Sequence, residues 1–514
     1  MKLNINNPDA FAALKSKGWL IPEYDIDRMR KATYEAPMWV HFGAGNIFRA
    51  FIANAQQKLL NSGASERGII VCDGFDYQLI DRCYKHFDNL GVLATLKSSG
   101  NVEKTVLASV SEALSGDRSS ADYLRLEQIF ASPSLQMVSF TITEKGYALS
   151  CAENPDSVIY KLTELCLKRF SAGALPLALV SMDNCSKNGD KLKAAVLACA
   201  EKLSADGRFL EYLTNPEKVS FPCSMIDKIT PRPDAAVRDL LTADGLEDMD
   251  IIVTDKNTYS AGFVNAEECE YLVIEDAFPN GRPPLEQSGI IFTDAETVDK
   301  SEKMKVCTCL NPLHTALAVF GCLLGYMKIS DETADADLSA LIKSIGYAEG
   351  LPVVIDPKII SPERFIDEVI NLRLPNPFIP DTPQRIACDT SQKLPIRFGE
   401  TIKAYAAKGC ADKLESIPLT IAGWCRYLLC VDDNGEAFTP SPDPELSRLT
   451  KILSCVKLGE VCDVHSVLAP ILSDKTIFAA DLYEAGLGEK TEKYFSQMIT
   501  AAGAVRSTLR NIPR

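Results

Sequence analysis

The sequence predicts an α/β protein in two parts, a mostly parallel sheet covered by helices and then a mainly α-helical domain. Three observations lead there. In the first half, short apolar runs rich in β-branched residues alternate with polar turns and helical patterns. After about residue 300 the hydrophobic period becomes 3.6 almost throughout. At 514 residues the chain also exceeds one ordinary core. The expected domains are 1–295 and 296–514.

The predicted strands are MWVHF, GIIVCD, QMVSFTIT, LPLALVSMD, DIIVTD and YLVIED. VLATLKSSGNVEKTVLASV holds two extended runs around Ser-Gly-Asn and reads as a hairpin inserted into the sheet. FPNGRPPLEQ lies near the junction. Beyond it, SPERFIDEVINLRL, DKLESIPLTIAGWCRYLLC, DPELSRLTKILSCVKL and EKTEKYFSQMITAAGAVRSTL read as helices, the first and third capped by Ser361 and Asp443.

A net charge of −15 argues against nucleic acid or an anionic membrane as partner. An anionic ligand would therefore need local positive charge. The start, MKLNINNPDAFAALKSKGWL, has no signal-peptide pattern. LAVFGCLLGYM is too short for the ~20 residues a membrane span takes. The expectation is a cytoplasmic protein. Its 17 cysteines are then reduced and inert, and no C-x-x-C pair is present. The four histidines are not at metal-ligand spacing, so no metal is expected.

MWVHFGAGNIFRAFIANAQQKLL reads as strand, Gly-Ala-Gly turn and helix. Gly43 and Gly45 suit a turn whose backbone approaches a pyrophosphate at a helix N-terminus, a Rossmann-like arrangement. Phe48 stands where the third glycine of G-x-G-x-x-G belongs. Asp73 ends the next strand, where a carboxylate accepts ribose hydroxyls and repels a 2′-phosphate; this favours NAD over NADP, with Asp76 as competing candidate. Thr143 and Glu144, in TITEKGY, close a later strand on the expected nicotinamide side.

In MKVCTCLNPLHTALA a lysine, an asparagine and a histidine crowd the mouth of an apolar helix. Asn311 and Pro312 suit N-cap and N1, with His314 in the first turn. Hydride transfer to a ketone needs a proton donor and oxyanion donors. Lys305 fits the acid/base, with Lys303 in reserve, and Asn311 and His314 orient the oxygen. The helix N-terminus would keep His314 neutral. Asn184, in SMDNCSKNGD, can offer a second amide, while Arg385 and Lys393, eight residues apart, suit a carboxylate or hydroxyls.

Several motifs in this order resemble the mannitol dehydrogenase family, the polyol-specific long-chain dehydrogenases. GAGNIFRA is similar to its G-x-G-x-F-H-R-A turn, and TEKGY, DNCSKNG and YLVIEDAFPNGRPP to further segments. MIDKITP resembles V-D-R-I-T-P, with Lys228 in place of arginine, and the helix mouth resembles K-x-x-x-L-N-G-x-H-S. The resemblance implies a Rossmann domain that binds NAD through the turn residues Gly43, Gly45, Asn46, Phe48 and Arg49. It makes Lys305 the catalytic lysine, Asn311 and Asn184 oxyanion donors, and His314, Asp227, Arg385 and Lys393 substrate contacts, with Glu302 near the proton path. One extra residue separates Lys305 from Asn311, and Pro312 replaces the family glycine.

The implied activity is metal-independent, NAD-linked interconversion of a hexuronate ketose, fructuronate, with an aldonate, mannonate. Tagaturonate with altronate and fructose with mannitol are the near alternatives. A nucleotide-binding regulator without turnover is the alternative of another class. The expected partner is a small sugar acid or polyol, with oligomeric state open.

Overall fold

The structure, a computed structural model, describes residues 1–5, 7–203 and 206–511. The chain divides into two compact units. One comprises residues 1–97 and 101–299, the other 98–100 and 300–514.

The strands of the first unit are β1 (Trp39–Phe42), β2 (Ile69–Asp73), β3 (Gly91–Leu96), β4 (Val102–Leu107), β5 (Val110–Ser115), β6 (Met137–Phe140), β7 (Leu177–Ser181), β8 (Val219–Ser220), β9 (Ser224–Asp227), β10 (Ile252–Val253), β11 (Tyr259–Ser260), β12 (Phe263–Glu267), β13 (Tyr271–Glu275) and β14 (Ile291–Thr293). Six form a sheet in the order β5-β2-β1-β6-β7-β8, parallel at every pairing. Its strands are apolar on both faces, as a parallel sheet sandwiched by other layers requires. Val40, Phe42, Ile70, Cys72, Val138 and Phe140 enter one core, with Leu126, Ile159 and Leu192 from helices. Trp39, Ile69, Val71 and Met137 enter the opposite core, with Phe51, Ile52 and Leu59. The strand order reverses beside β1, between β2 and β6, which marks the crevice where α/β sheets bind ligands.

Three expectations about strands need correction. The VLATLKSSGNVEKTVLASV hairpin is real, since β3 and β4 pair antiparallel, but it joins β12 in a separate sheet and is not inserted in the parallel one. DIIVTD yields only β10, in an antiparallel ribbon with β11. YLVIED is β13, central in a mixed sheet with β9 and β14.

The second unit is helical, as read from its periodicity. Ser361 caps helix Pro362–Glu368, its side chain accepting the Arg364 amide. Asp443 does not cap helix Leu446–Leu453. Its carboxylate takes the Glu445 and Ser391 amides instead, and Glu445 precedes the helix. The last predicted helix is two, Gly488–Met498 and Ala504–Arg510, broken before Gly503, where φ is +80°. A continuous helix, Ala295–Leu324, has the length and hydropathy of a membrane span, contrary to the sequence expectation, but 78% of its most apolar window is buried within the protein. Such burial is that of a core helix.

Candidate active site

In the sheet unit the site begins at the turn after β1. Gly43 has φ +112°, and a Cβ there would lie 2.2 Å from the Thr141 carbonyl oxygen. Only glycine fits. A Cβ on Gly45 would meet nothing within 4 Å, so the space above it is open at the start of the helix spanning 46–61. This is the open cradle that a pyrophosphate needs.

Asp73 is 7% exposed. Its Oδ2 accepts the Ala44 amide at 3.0 Å, and its Oδ1 accepts those of Phe75 at 2.9 Å and Asp76 at 2.6 Å. Burial raises its pKa, and these amides pull it back. Asp73 therefore clamps the glycine turn to the end of β2. Asp76, whose Oδ2 accepts the Thr254 hydroxyl at 2.5 Å, lines a cleft of about 600 Å³ with Phe75, Asp117, Asp156 and Lys256.

Phe48 and Arg49 also depart from the expected coenzyme contacts. Phe48 is fully buried, its ring stacked 4.6 Å from that of His41. The Arg49 guanidinium is spent on the Ala261 carbonyl, the Ser260 hydroxyl and the Asn46 side chain, at 2.7, 2.9 and 3.0 Å. Both hold the helix in place. Asn46 is half-buried at the helix start and is engaged by Arg49. His41 is satisfied by Ser139 and Thr141 hydroxyls at 2.7 and 2.8 Å, and burial lowers its pKa to about 3.

After β6, Thr143 and Glu144 are exposed. Asp183 anchors their loop by accepting the Ile142 and Thr143 amides, both at 2.9 Å, and Thr143 takes φ +67°. Glu144 pairs with Lys191 at 2.5 Å. Asn184 is exposed after β7, and Asp227 is half-buried at the end of β9. Sequence reasoning missed Asn188, which is fully buried. Its amide donates to the Asp183 and Ser224 carbonyls, both at 2.9 Å, and fixes the Asn184 turn.

In the helical unit Lys305 is 3% exposed and opens a π-helical turn, Lys305–Cys309. Lys303 is exposed. Helix Asn311–Leu324 follows, with Asn311 as its first residue and no side-chain cap. The expected capping role of Asn311 is thus corrected, and its half-buried amide is not committed to the helix end. His314 Nε2 is buried without a hydrogen-bond partner among the described residues. It stands 3.4 Å from Asp381 Oδ2. Burial, and then Arg397, Arg385 and Arg373, outweigh Asp381 and hold the His314 pKa at about 4. His314 is therefore neutral at pH 7, with burial and the neighbouring cations as the causes.

Asp381, 7% exposed, ion-pairs with the exposed guanidinium of Arg385. Lys393 donates to the Ile386 and Cys388 carbonyls, and burial lowers its pKa. The structure thus gathers His314, Arg385 and the unforeseen Asp381 directly, while Lys393 and Arg397 feel one another electrostatically.

The comparisons with known proteins decide the family. Residues 37–287 match the family model of the Mannitol dehydrogenase Rossmann domain, and residues 297–499 match that of the Mannitol dehydrogenase C-terminal domain. The chain belongs to the mannitol dehydrogenase family. As a member it is an oxidoreductase acting on CH–OH groups. A D-mannonate oxidoreductase of Thermotoga maritima is 49% identical, covering 100% of this chain and 99% of its own. A polyol:NADP oxidoreductase of Gluconobacter oxydans is 29% identical over 87% of this chain and 89% of its own. Among solved structures, a Pseudomonas fluorescens mannitol 2-dehydrogenase in ternary complex with NAD and D-mannitol superposes with TM-score 0.70 at 26% identity, covering 99% of both chains.

Against the family pattern K-x-x-x-L-N-G-x-H-S, the mannitol dehydrogenase family member described here carries one extra residue between Lys305 and Asn311. The π-turn accounts for it. The Leu310 amide bonds the Lys305 carbonyl, five residues back, at 3.0 Å. A widened turn of this kind absorbs an inserted residue within an otherwise regular helix and is common at functional sites.

Proposed function

We propose that this protein is an NAD-dependent oxidoreductase that reversibly reduces D-fructuronate to D-mannonate, independently of metal, with Lys305 as acid and base. The buried Lys305 amine, on the turn that leads into Asn311 and His314, carries the reading. The full-length likeness to a D-mannonate oxidoreductase supports the substrate.

The turn from Gly43 to Asn46, with its open cradle at Gly45, would hold the coenzyme pyrophosphate. The cleft at the end of β2 is lined by Asp76, Asp117 and Asp156, and this charge disfavours the 2′-phosphate of NADP. When bound, the coenzyme supplies the hydride. Lys305 gives a proton to the carbonyl oxygen as it becomes an alcohol and takes it back in the reverse direction. The Asn311 amide and the unpartnered Nε2 of neutral His314 donate to the same oxygen, where one donor is worth ~100-fold or more in rate. Asn184 retains the proposed role of an oxyanion amide, and Asp227, Arg385 and Lys393 those of substrate contacts. Thr143 and Glu144 remain proposed for the nicotinamide end.

The test is NADH oxidation against a panel of fructuronate, tagaturonate and fructose, with and without a chelator. The expected result is a chelator-insensitive preference for fructuronate. A preference for tagaturonate or fructose overturns the substrate, chelator sensitivity overturns metal independence, and silence across the panel favours a regulator.

A further inference from the structure

Several arginines of this protein differ in how their charge is satisfied. Arg169, fully buried, gives all its donors to five main-chain carbonyls, those of Leu175, Phe130, Ser132, Leu135 and Pro176. Arg426, also fully buried, donates to the carbonyls of Met498, Val431 and Asp432. Arg397 stands apart. It donates one hydrogen bond, to the Thr315 hydroxyl at 2.7 Å, and forms no ion pair with a carboxylate among the described residues. Burial is severe enough to push its pKa down to about 10.

The Arg397 guanidinium is half-buried, and a fork with one hydrogen bond made keeps its other donors available to an anionic ligand. Thr315 adjoins His314, whose pKa Arg397 itself lowers, so the unfilled fork belongs to the surroundings of a proposed substrate contact. Another cation that acts on His314, Arg385, already has the Asp381 carboxylate. Lys393 is turned onto carbonyls of its own loop. A planar fork with donors to spare matches a carboxylate bidentately, which a neutral polyol cannot reproduce.

We infer that Arg397 is the specificity-determining residue that receives the carboxylate of the sugar acid, while Asp381 holds Arg385 in reserve beside His314. This rests on the sugar-acid reading above.

The experiment compares wild type, Arg397→Gln and Arg397→Lys, each saturated with NADH. Steady-state rates are followed with fructuronate and fructose, and binding of mannonate and mannitol is measured directly. Thermal melting and NADH affinity report whether each variant is folded. Loss of a charge-assisted bidentate pair should raise KM for fructuronate, and Kd for mannonate, about 10- to 100-fold. The neutral sugars should change less than about threefold, and Arg397→Lys should recover part of the loss. Equal losses for acidic and neutral ligands, or none for either, would overturn the assignment. Should Arg397→Gln not fold, the Arg397→Lys variant decides: an unchanged ratio of acid to neutral affinity overturns the assignment. A wild type that takes only neutral polyols overturns the sugar-acid reading itself, before any variant is made.

Discussion

Lys305 and Leu310 are joined through the main chain, the Lys305 carbonyl accepting the Leu310 amide at 3.0 Å across a turn one residue wider than those of an α-helix. The widened turn starts at a lysine buried to 3% exposure, whereas Lys303, two residues earlier, is exposed. The pair separates the two lysines by environment: an amine excluded from water can have its proton affinity tuned, and a solvated one cannot. Lys305→Ala should lower turnover by ~100-fold or more, as expected for removal of a general acid, with NADH affinity preserved. Lys303→Ala should leave turnover nearly unchanged. Steady-state rates with fluorescence titration of NADH check both; the reverse ranking would transfer the role to Lys303.

The two carboxylates at the end of β2 should separate in the same manner. Asp73 holds three amides, including that of Ala44 in the glycine turn, so Asp73→Asn should cost ~1–3 kcal/mol of stability and weaken NAD and NADP together. Asp76 borders the acidic cleft, so Asp76→Asn should improve NADP relative to NAD. Ratios of kcat/KM for the two coenzymes, with melting curves, distinguish them. A changed coenzyme ratio in Asp73→Asn with no loss of stability would assign the ribose contact to Asp73.

Glu332 yields a pH prediction. It is fully buried, both carboxyl oxygens lack partners among the described residues, and a Cβ on Gly321 would come within 2.2 Å of its Oε1. Burial, and then Asp331 and Asp335, push its pKa up to about 9. The folded state then keeps a proton that the unfolded chain has released above pH ~4.5. Because the folded form binds more protons, stability falls as pH rises between ~4.5 and 9, by up to ~1.4 kcal/mol per pH unit. Glu332→Gln, which cannot ionise, should flatten that slope and raise the Tm at pH 8. Parallel Tm profiles for the two proteins would show that the carboxyl ionises in the fold.

The parts of the molecule legible in the sequence were those written locally. The run from Trp39 to Leu59 carries strand period, turn glycines and helix period in consecutive residues, and it folds accordingly. The pairing of β3 with β12 was not legible, because the partner lies about 170 residues away and any exposed strand edge would have served. Nor was the π-turn at Lys305, since no propensity encodes it; only the extra residue before Asn311 hinted at it. The stretch from Asn376 to Arg397 displayed Asp381 and Arg397 alongside Arg385 and Lys393. Residue type alone does not say which cation is already engaged, and the single hydrogen bond to Thr315 is what sets Arg397 apart.

Gly43 and Gly45, two residues apart, differ in what a side chain would meet: the Thr141 carbonyl in one case and open space in the other. Redesign of this enzyme toward other coenzymes therefore has a forbidden position and a permissive one side by side. A mutagenesis library that randomises both would waste every member altered at 43, whereas one confined to 45 and the acidic rim samples chains that can still fold.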